Sequence, residues 1–238
     1  MRSLRDPIGH SHRARYRRRG AALVILVAAV SLGTQPALSG DAVKDVPPTA
    51  TAGRVRPIDL VKASVSQVLA VAQSRTAVSR ESGQLRAEIR RVADGLFDFK
   101  EMARLSLSRY WSRQSLREQE EFVGLFTELL ERSFLSTIEN YAGEKITFLS
   151  ESIDGSYAQV RSRITTERRM DISIDYRLID RGDRWEVYDV VLDGVSLVSN
   201  YRGQFNSIIR TSSFGDLLTR MRIKQVEARV IPRVGRGS

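Results

Sequence analysis

Hydrophobic positions recur along this chain with two different periods, and the change between them divides the fold. From about Ile58, Val61, Val65, Val68, Leu69 and Ala72 recur at helical spacing, and Leu85, Ile89 and Val92 form a second stripe after a break at Ser82-Gly83. Asp98 is placed to cap a short third helix carrying Met102 and Leu105, which runs into Tyr110-Trp111. Ser115-Leu-Arg-Glu118 spells a capping box, and Phe122, Leu125, Phe126, Leu129, Leu130, Phe134 and Ile138 carry an apolar stripe along a long fourth helix. After Gly143 the period becomes two. Ile146, Phe148, Tyr157, Val160 and Ile164 predict two strands, and Ile172, Ile174, Tyr176 and Leu178 alternate with Asp171, Ser173, Asp175 and Arg177 as a third strand with one wet face. Arg181-Gly182-Asp183 has the length and the glycine of a hairpin turn, a plainer reading than an adhesion motif.

The next strand, Trp185 to Leu192, is too apolar for one wet face, so both its faces must be covered or one must line a cavity. Asp193-Gly194 stops it, Ser196 is placed to cap a helix, and Val198, Tyr201, Phe205, Ile208 and Ile209 give that helix a broad apolar stripe. Helices, an antiparallel meander of about four strands and further helices make an α+β fold.

The ends of the chain are different in kind. Arg13, Arg15, Arg17, Arg18 and Arg19 precede the apolar run Ala21 to Leu32, and Ala37-Leu38-Ser39 offers the small residues a signal peptidase reads, so residues 1–39 are expected to be a secretory signal. The apolar run is well short of the ~20 residues of a spanning helix, and the arginines lack the continuation of a twin-arginine signal. Residues 40–57, with Pro47, Pro48 and Pro57, are expected to be a flexible linker, 58–224 the folded domain and 225–238 a basic, disordered tail.

Charge and composition then narrow the chemistry. Removing the leader takes away seven arginines and Asp6, so a formal charge of +10 falls to +4 and nucleic-acid binding loses its main support. The two histidines, His10 and His12, lie in the leader and the chain has no cysteine. The remaining residues therefore cannot supply a Ser-His-Asp or Cys-His nucleophile, a Cys/His zinc site or histidine-ligated haem, and no cofactor is expected. Asp171 and Asp175 share the wet face of one strand and read as solvated acids, while Asp189 interrupts an apolar strand and is either a buried base or a carboxylate held by backbone hydrogen bonds.

Several short motifs fall in a recognisable order: Phe97-Asp-Phe99 with Met102-Ala103, Arg109-Tyr-Trp111, Trp185-Glu-Val-Tyr-Asp-Val190, Gly194-Val-Ser-Leu-Val198, Asn200-Tyr-Arg202 and Gln204-Phe205. With Phe122, Phe126 and Leu129 in the long helix, they resemble the MlaC family, also called the toluene-tolerance or ABC-transporter auxiliary family, over roughly Ile58 to Lys224. Ser108 and Asp193 depart from it, standing where glycine and glutamate are usual. The resemblance implies a fold like that of nuclear transport factor 2, with lipid tails held between sheet and helices. It also implies a non-enzymatic periplasmic carrier that takes phospholipid between an outer-membrane lipoprotein complex and an inner-membrane ABC transporter complex with its MCE-domain subunit. A hopanoid-associated sister group is similar in the same motifs, so a polycyclic lipid is the alternative cargo, and an adaptor without cargo is the alternative role.

On that reading the lipid-binding candidates are Tyr110, Phe122, Phe126, Leu129, Tyr188, Val190, Val195, Val198, Tyr201 and Phe205. Val195 is the sharpest of them, because the strand-to-helix turn is where a cavity mouth is expected. Arg109 and Arg202 are available to a phosphate.

Overall fold

The computed structural model describes residues 54–74, 82–139, 143–166 and 171–230. The expected signal segment, most of the linker and residues 231–238 lie outside them. Helices α1 (Pro57–Ser74), α2 (Ser82–Leu96) and α3 (Phe99–Leu107), a 3₁₀ turn (Ser108–Arg113) and α4 (Leu116–Glu139) precede the sheet. Strands β1 (Lys145–Asp154), β2 (Tyr157–Thr165), β3 (Asp171–Asp180), β4 (Trp185–Leu192) and the two-residue β5 (Val195–Ser196) follow, then α5 (Leu197–Thr211) and α6 (Phe214–Val230).

The capping signals in the sequence act as expected. Asp98 accepts from the Glu101 backbone N–H at the start of α3, and Ser196 accepts from Ser199 at the start of α5. Before α4, the Ser115 N–H donates to Glu118 Oε2 at 2.9 Å while the Glu118 N–H donates back to Ser115 Oγ at 3.4 Å. The fold begins earlier than the linker boundary set at Pro57. Arg54 makes two 2.6 Å hydrogen bonds to Asp180 and lies over the Trp185 ring, and Glu151 of β1 accepts from the Ile58 N–H. At the other end, helix α6 runs six residues into the segment read as a tail, seated by Phe214, Leu217, Leu218 and Met221.

The strands form one antiparallel meander in the order β1-β2-β3-β4-β5. Arg181-Gly182-Asp183 is a turn, with Gly182 at φ 94 and its N–H donating to Asp180, and the Arg181 side chain is committed to Asp98. Asp193 and Gly194 both have positive φ, 45 and 82, the backbone of a two-residue hairpin. They therefore do more than end β4: they fold Val195 back to pair with Leu192.

One irregularity decides which residues face inward. Arg177 pairs with Asp189 but its neighbour Leu178 pairs with Val187, so Tyr188 is an extra residue, a β-bulge. A bulge shifts the two-residue alternation by one position. Trp185 and Val187 face the helices before it, and Val190 and Leu192 face them after it. Asp189 and Val191 turn to the opposite face, where both are buried.

Two cores result. The inner face of the sheet, including Val160, Ile174, Tyr176, Leu178 and Val187, packs with Ile58, Val61 and Leu96. The second core joins α3, α4, α5 and α6 around Phe122, Phe126, Phe205, Phe214 and Leu217. Each fully buried apolar side chain of this size contributes about 1.5–3 kcal/mol.

Candidate functional site

Between the sheet's inner face and α1, α2 and α4 lies a cavity of about 190 Å³. α1 lines it with Val65, Val68, Leu69 and Ala72, one stripe at helical spacing, and α2 with Val92, Ala93 and Leu96. Leu130, Phe134 and Ile138 come from the second half of α4, successive turns of one face. The sheet supplies Ile146, Ile164, Ile174, Tyr176, Val190 and Leu192, the last two through the bulge at Tyr188, and Phe97, Phe99, Met102 and Leu197 complete the apolar wall.

Three wall residues are polar or carry a polar atom. Ser64 is buried on α1. The Tyr176 hydroxyl is hydrogen-bonded with Ser162, and burial pushes its pKa up to about 12 against the lowering effect of that bond. Glu131 is the acid of the wall, its side chain 14% exposed, with Arg90 Nε of α2 at 2.9 Å. Burial raises the Glu131 pKa, Arg90 opposes the rise, and Asp94 and Glu128 add to it. Glu131 Oε1 is out of water and accepts no well-aligned hydrogen bond.

Of the candidates named from sequence, Val190 alone lines this cavity. Phe122, Phe126, Val198 and Phe205 lie in the second core, with Leu129 and Tyr201 packed against it. Phe126 stands edge-on to Tyr201 at 5.3 Å and to Phe205 at 5.7 Å, and Phe122 edge-on to Phe205 at 5.5 Å. Their stripe is real, but it packs helix on helix and not helix on void. Tyr110 sits on the 3₁₀ turn beneath the Arg109 and Arg113 guanidiniums. Tyr188, the bulged residue, meets Tyr157 at 6.0 Å on the side of the sheet away from the cavity. Val195 is 43% exposed on β5, the edge strand that the Asp193-Gly194 hairpin folds back against β4. Of the two arginines, Arg109 hydrogen-bonds Tyr110 and Arg202 hydrogen-bonds Ser199, both on the surface.

The carboxylates considered as bases are engaged elsewhere. Asp189, 3% exposed, accepts from Ser196 Oγ at 2.7 Å, from the Val198 N–H at 3.1 Å and from Arg177 at 3.2 Å. It anchors the start of α5. Asp171 accepts from Arg163 and Thr165, and Asp175 from Gln159. Among the described residues no group of three or more His, Cys, Asp or Glu is gathered as metal ligands would be, and no helix is long and apolar enough to cross a membrane.

Fold and cavity together define an α+β protein with an apolar chamber between a twisted sheet and its helices. The family model described as MlaC protein matches residues 62–223, and the chain belongs to that family. It is 26% identical over 120 residues to the intermembrane phospholipid transport system binding protein MlaC of Haemophilus influenzae, spanning 48% of this chain and 56% of that one. The chain thus aligns with little more than half the length of that relative. Its fold matches a phospholipid-binding protein of Ralstonia solanacearum, solved in complex with a phospholipid, at a TM-score of 0.65 and 21% identity over 73% of this chain and 98% of the other.

Proposed function

We propose that this protein is a periplasmic carrier that holds the acyl tails of a phospholipid in the apolar cavity. It passes the lipid between an outer-membrane lipoprotein complex and an inner-membrane ABC transporter complex with its MCE-domain subunit. It acts by binding alone, with no catalytic step. The observation that carries this reading is the cavity itself, an almost wholly apolar chamber in a member of the MlaC family. The phospholipid held by the R. solanacearum protein of the same fold supports it.

The physical task is clear from magnitudes. A two-tailed lipid carries on the order of 30 methylenes, which at ~0.8 kcal/mol each would cost ~24 kcal/mol to expose to water. A carrier must match the bilayer closely in affinity, since a much tighter site would not deliver and a much weaker one would not extract. An apolar wall does this without directed bonds. The present volume, about 190 Å³, is not much larger than the ~150 Å³ cavity that accepts benzene. Loading two tails therefore requires α1, α2 and the second half of α4 to move away from the sheet.

Native mass spectrometry of residues 40–238 purified from a Gram-negative periplasm, with solvent extraction of whatever is bound, tests this. A stoichiometric phospholipid is expected. A bound hopanoid would assign the cargo to the polycyclic class instead. A folded protein that carries nothing and takes up nothing from liposomes would refute the carrier and leave an adaptor role.

A further inference from the structure

We propose that Glu131 and Arg90 read the polar end of the cargo: Glu131 Oε1 accepts a hydrogen bond from an ammonium N–H while Arg90 meets the phosphate, which selects primary-ammonium over quaternary-ammonium headgroups. This rests on the carrier reading. It goes beyond it by naming the lipid class and the residues that choose it.

The wall offers few polar atoms to a ligand, and Tyr176 is already satisfied by Ser162. Glu131 is not: its Oε1 is excluded from water and lacks an aligned donor, although Arg90 Nε is 2.9 Å away. A bare hydrocarbon chain laid against that oxygen would leave it dry and give it no donor. A donor on the cargo repairs the deficit, and a charge-assisted hydrogen bond is the strong kind.

The pair also marks where the wall meets water. The Glu131 side chain is 14% exposed and that of Arg90 is 56% exposed, so a single ion pair spans from the chamber to solvent between α4 and α2. A lipid with its tails inside the chamber has its polar end at such a rim. Adjacent groups of opposite charge suit a zwitterion, in which phosphate and nitrogen are separated by two carbons. Arg90 can exchange its poorly aligned contact with Glu131 for a phosphate, and Glu131 can exchange Arg90 for the nitrogen. A trimethylated nitrogen has no N–H to give, so it offers Glu131 charge without a hydrogen bond.

The test uses delipidated protein incubated with vesicles of equal phosphatidylethanolamine and phosphatidylcholine bearing identical chains, followed by extraction and quantification of each lipid per protein. The wild type is expected to enrich phosphatidylethanolamine about tenfold over the vesicle ratio, the discrimination a charged hydrogen bond provides. Glu131→Leu is expected to return the ratio of the lipid it binds to that of the vesicle, and the isosteric Glu131→Gln to fall between the two. Equal loading of both lipids by the wild type, or enrichment that survives Glu131→Leu and Glu131→Gln alike, overturns the proposal and leaves the carrier standing. Uptake of neither lipid by the wild type overturns the carrier, and this proposal with it.

Discussion

Truncating Phe126 separates the aromatic cluster of the helices from the chamber under the sheet. Phe126 is fully buried and meets Phe122 at 5.8 Å, Tyr201 at 5.3 Å and Phe205 at 5.7 Å. Removing a ring from such a site costs its transfer free energy and leaves a void its aromatic neighbours cannot close, so Phe126→Ala is expected to cost about 3–5 kcal/mol. With a urea slope of about 2 kcal/mol per molar, the unfolding midpoint should fall by roughly 1.5–2.5 M. That is a large share of the 5–15 kcal/mol available to a typical domain, yet it leaves a folded population to assay. The assay is urea denaturation followed by circular dichroism on delipidated protein, with lipid load measured separately on the folded fraction. Lipid per folded protein should stay near wild type, because the ring does not touch the chamber. A midpoint shift under about 0.5 M combined with loss of lipid would show that the aromatic stripe faces cargo and that the chamber has been misassigned.

Three further outcomes follow from the same geometry. Ala93→Phe, from a 4% exposed site on the α2 wall, should place a ring in the chamber and cut copurified lipid at least tenfold in mass spectra, whereas Val195→Glu on the exposed β5 should leave the load unchanged. Asp189→Ala should cost about 2–4 kcal/mol in urea denaturation, since it strands the Val198 N–H and Ser196 at the start of α5. The folded protein keeps Tyr176 protonated to about 12, whereas the unfolded chain releases that proton near its ordinary value of 10.0, so stability falls as pH rises between them. The loss should reach about 3 kcal/mol and be absent in Tyr176→Phe, as read from urea midpoints on either side of the window.

What was legible in the sequence was local. The caps at Asp98, Ser115 and Ser196, the alternation along β3 and the glycine of the Arg181-Gly182-Asp183 turn each depend on residues within a few positions of one another. The site was much less so, because a stripe predicts which residues are inside but not whether they meet a neighbour or a void. The stripe of α4 serves both ends: Phe122 and Phe126 enter the helical core, Leu130, Phe134 and Ile138 the chamber wall. Nothing in its spacing marks the division. The bulge at Tyr188 is a property of pairing between two strands, and it sends Tyr188 and Val190, both expected at the cavity, to opposite faces of the sheet. Asp193-Gly194 carries a hairpin signal, yet read only as a strand end it puts Val195 at a cavity mouth. A better signal for the chamber was present in Ala72 and Ala93, small residues on apolar stripes that leave space where a larger side chain would fill it.

The division into two cores also says where loading can occur without unfolding. α4 is anchored through its first half by the aromatic cluster with α5 and α6, and the sheet by its own inner face. The chamber end of α1, α2 and α4 is joined by a smaller cluster, Val68, Ile89 and Ile138 with their partly buried neighbours, and by the Arg90–Glu131 pair. Regions with fewer buried apolar contacts open at lower free energy than the global fold. On the carrier reading, the wall that must yield to admit two tails is therefore the one with the least to lose. Lipid entering there replaces the contacts of the small cluster with contacts to its own methylenes, so opening and filling offset each other.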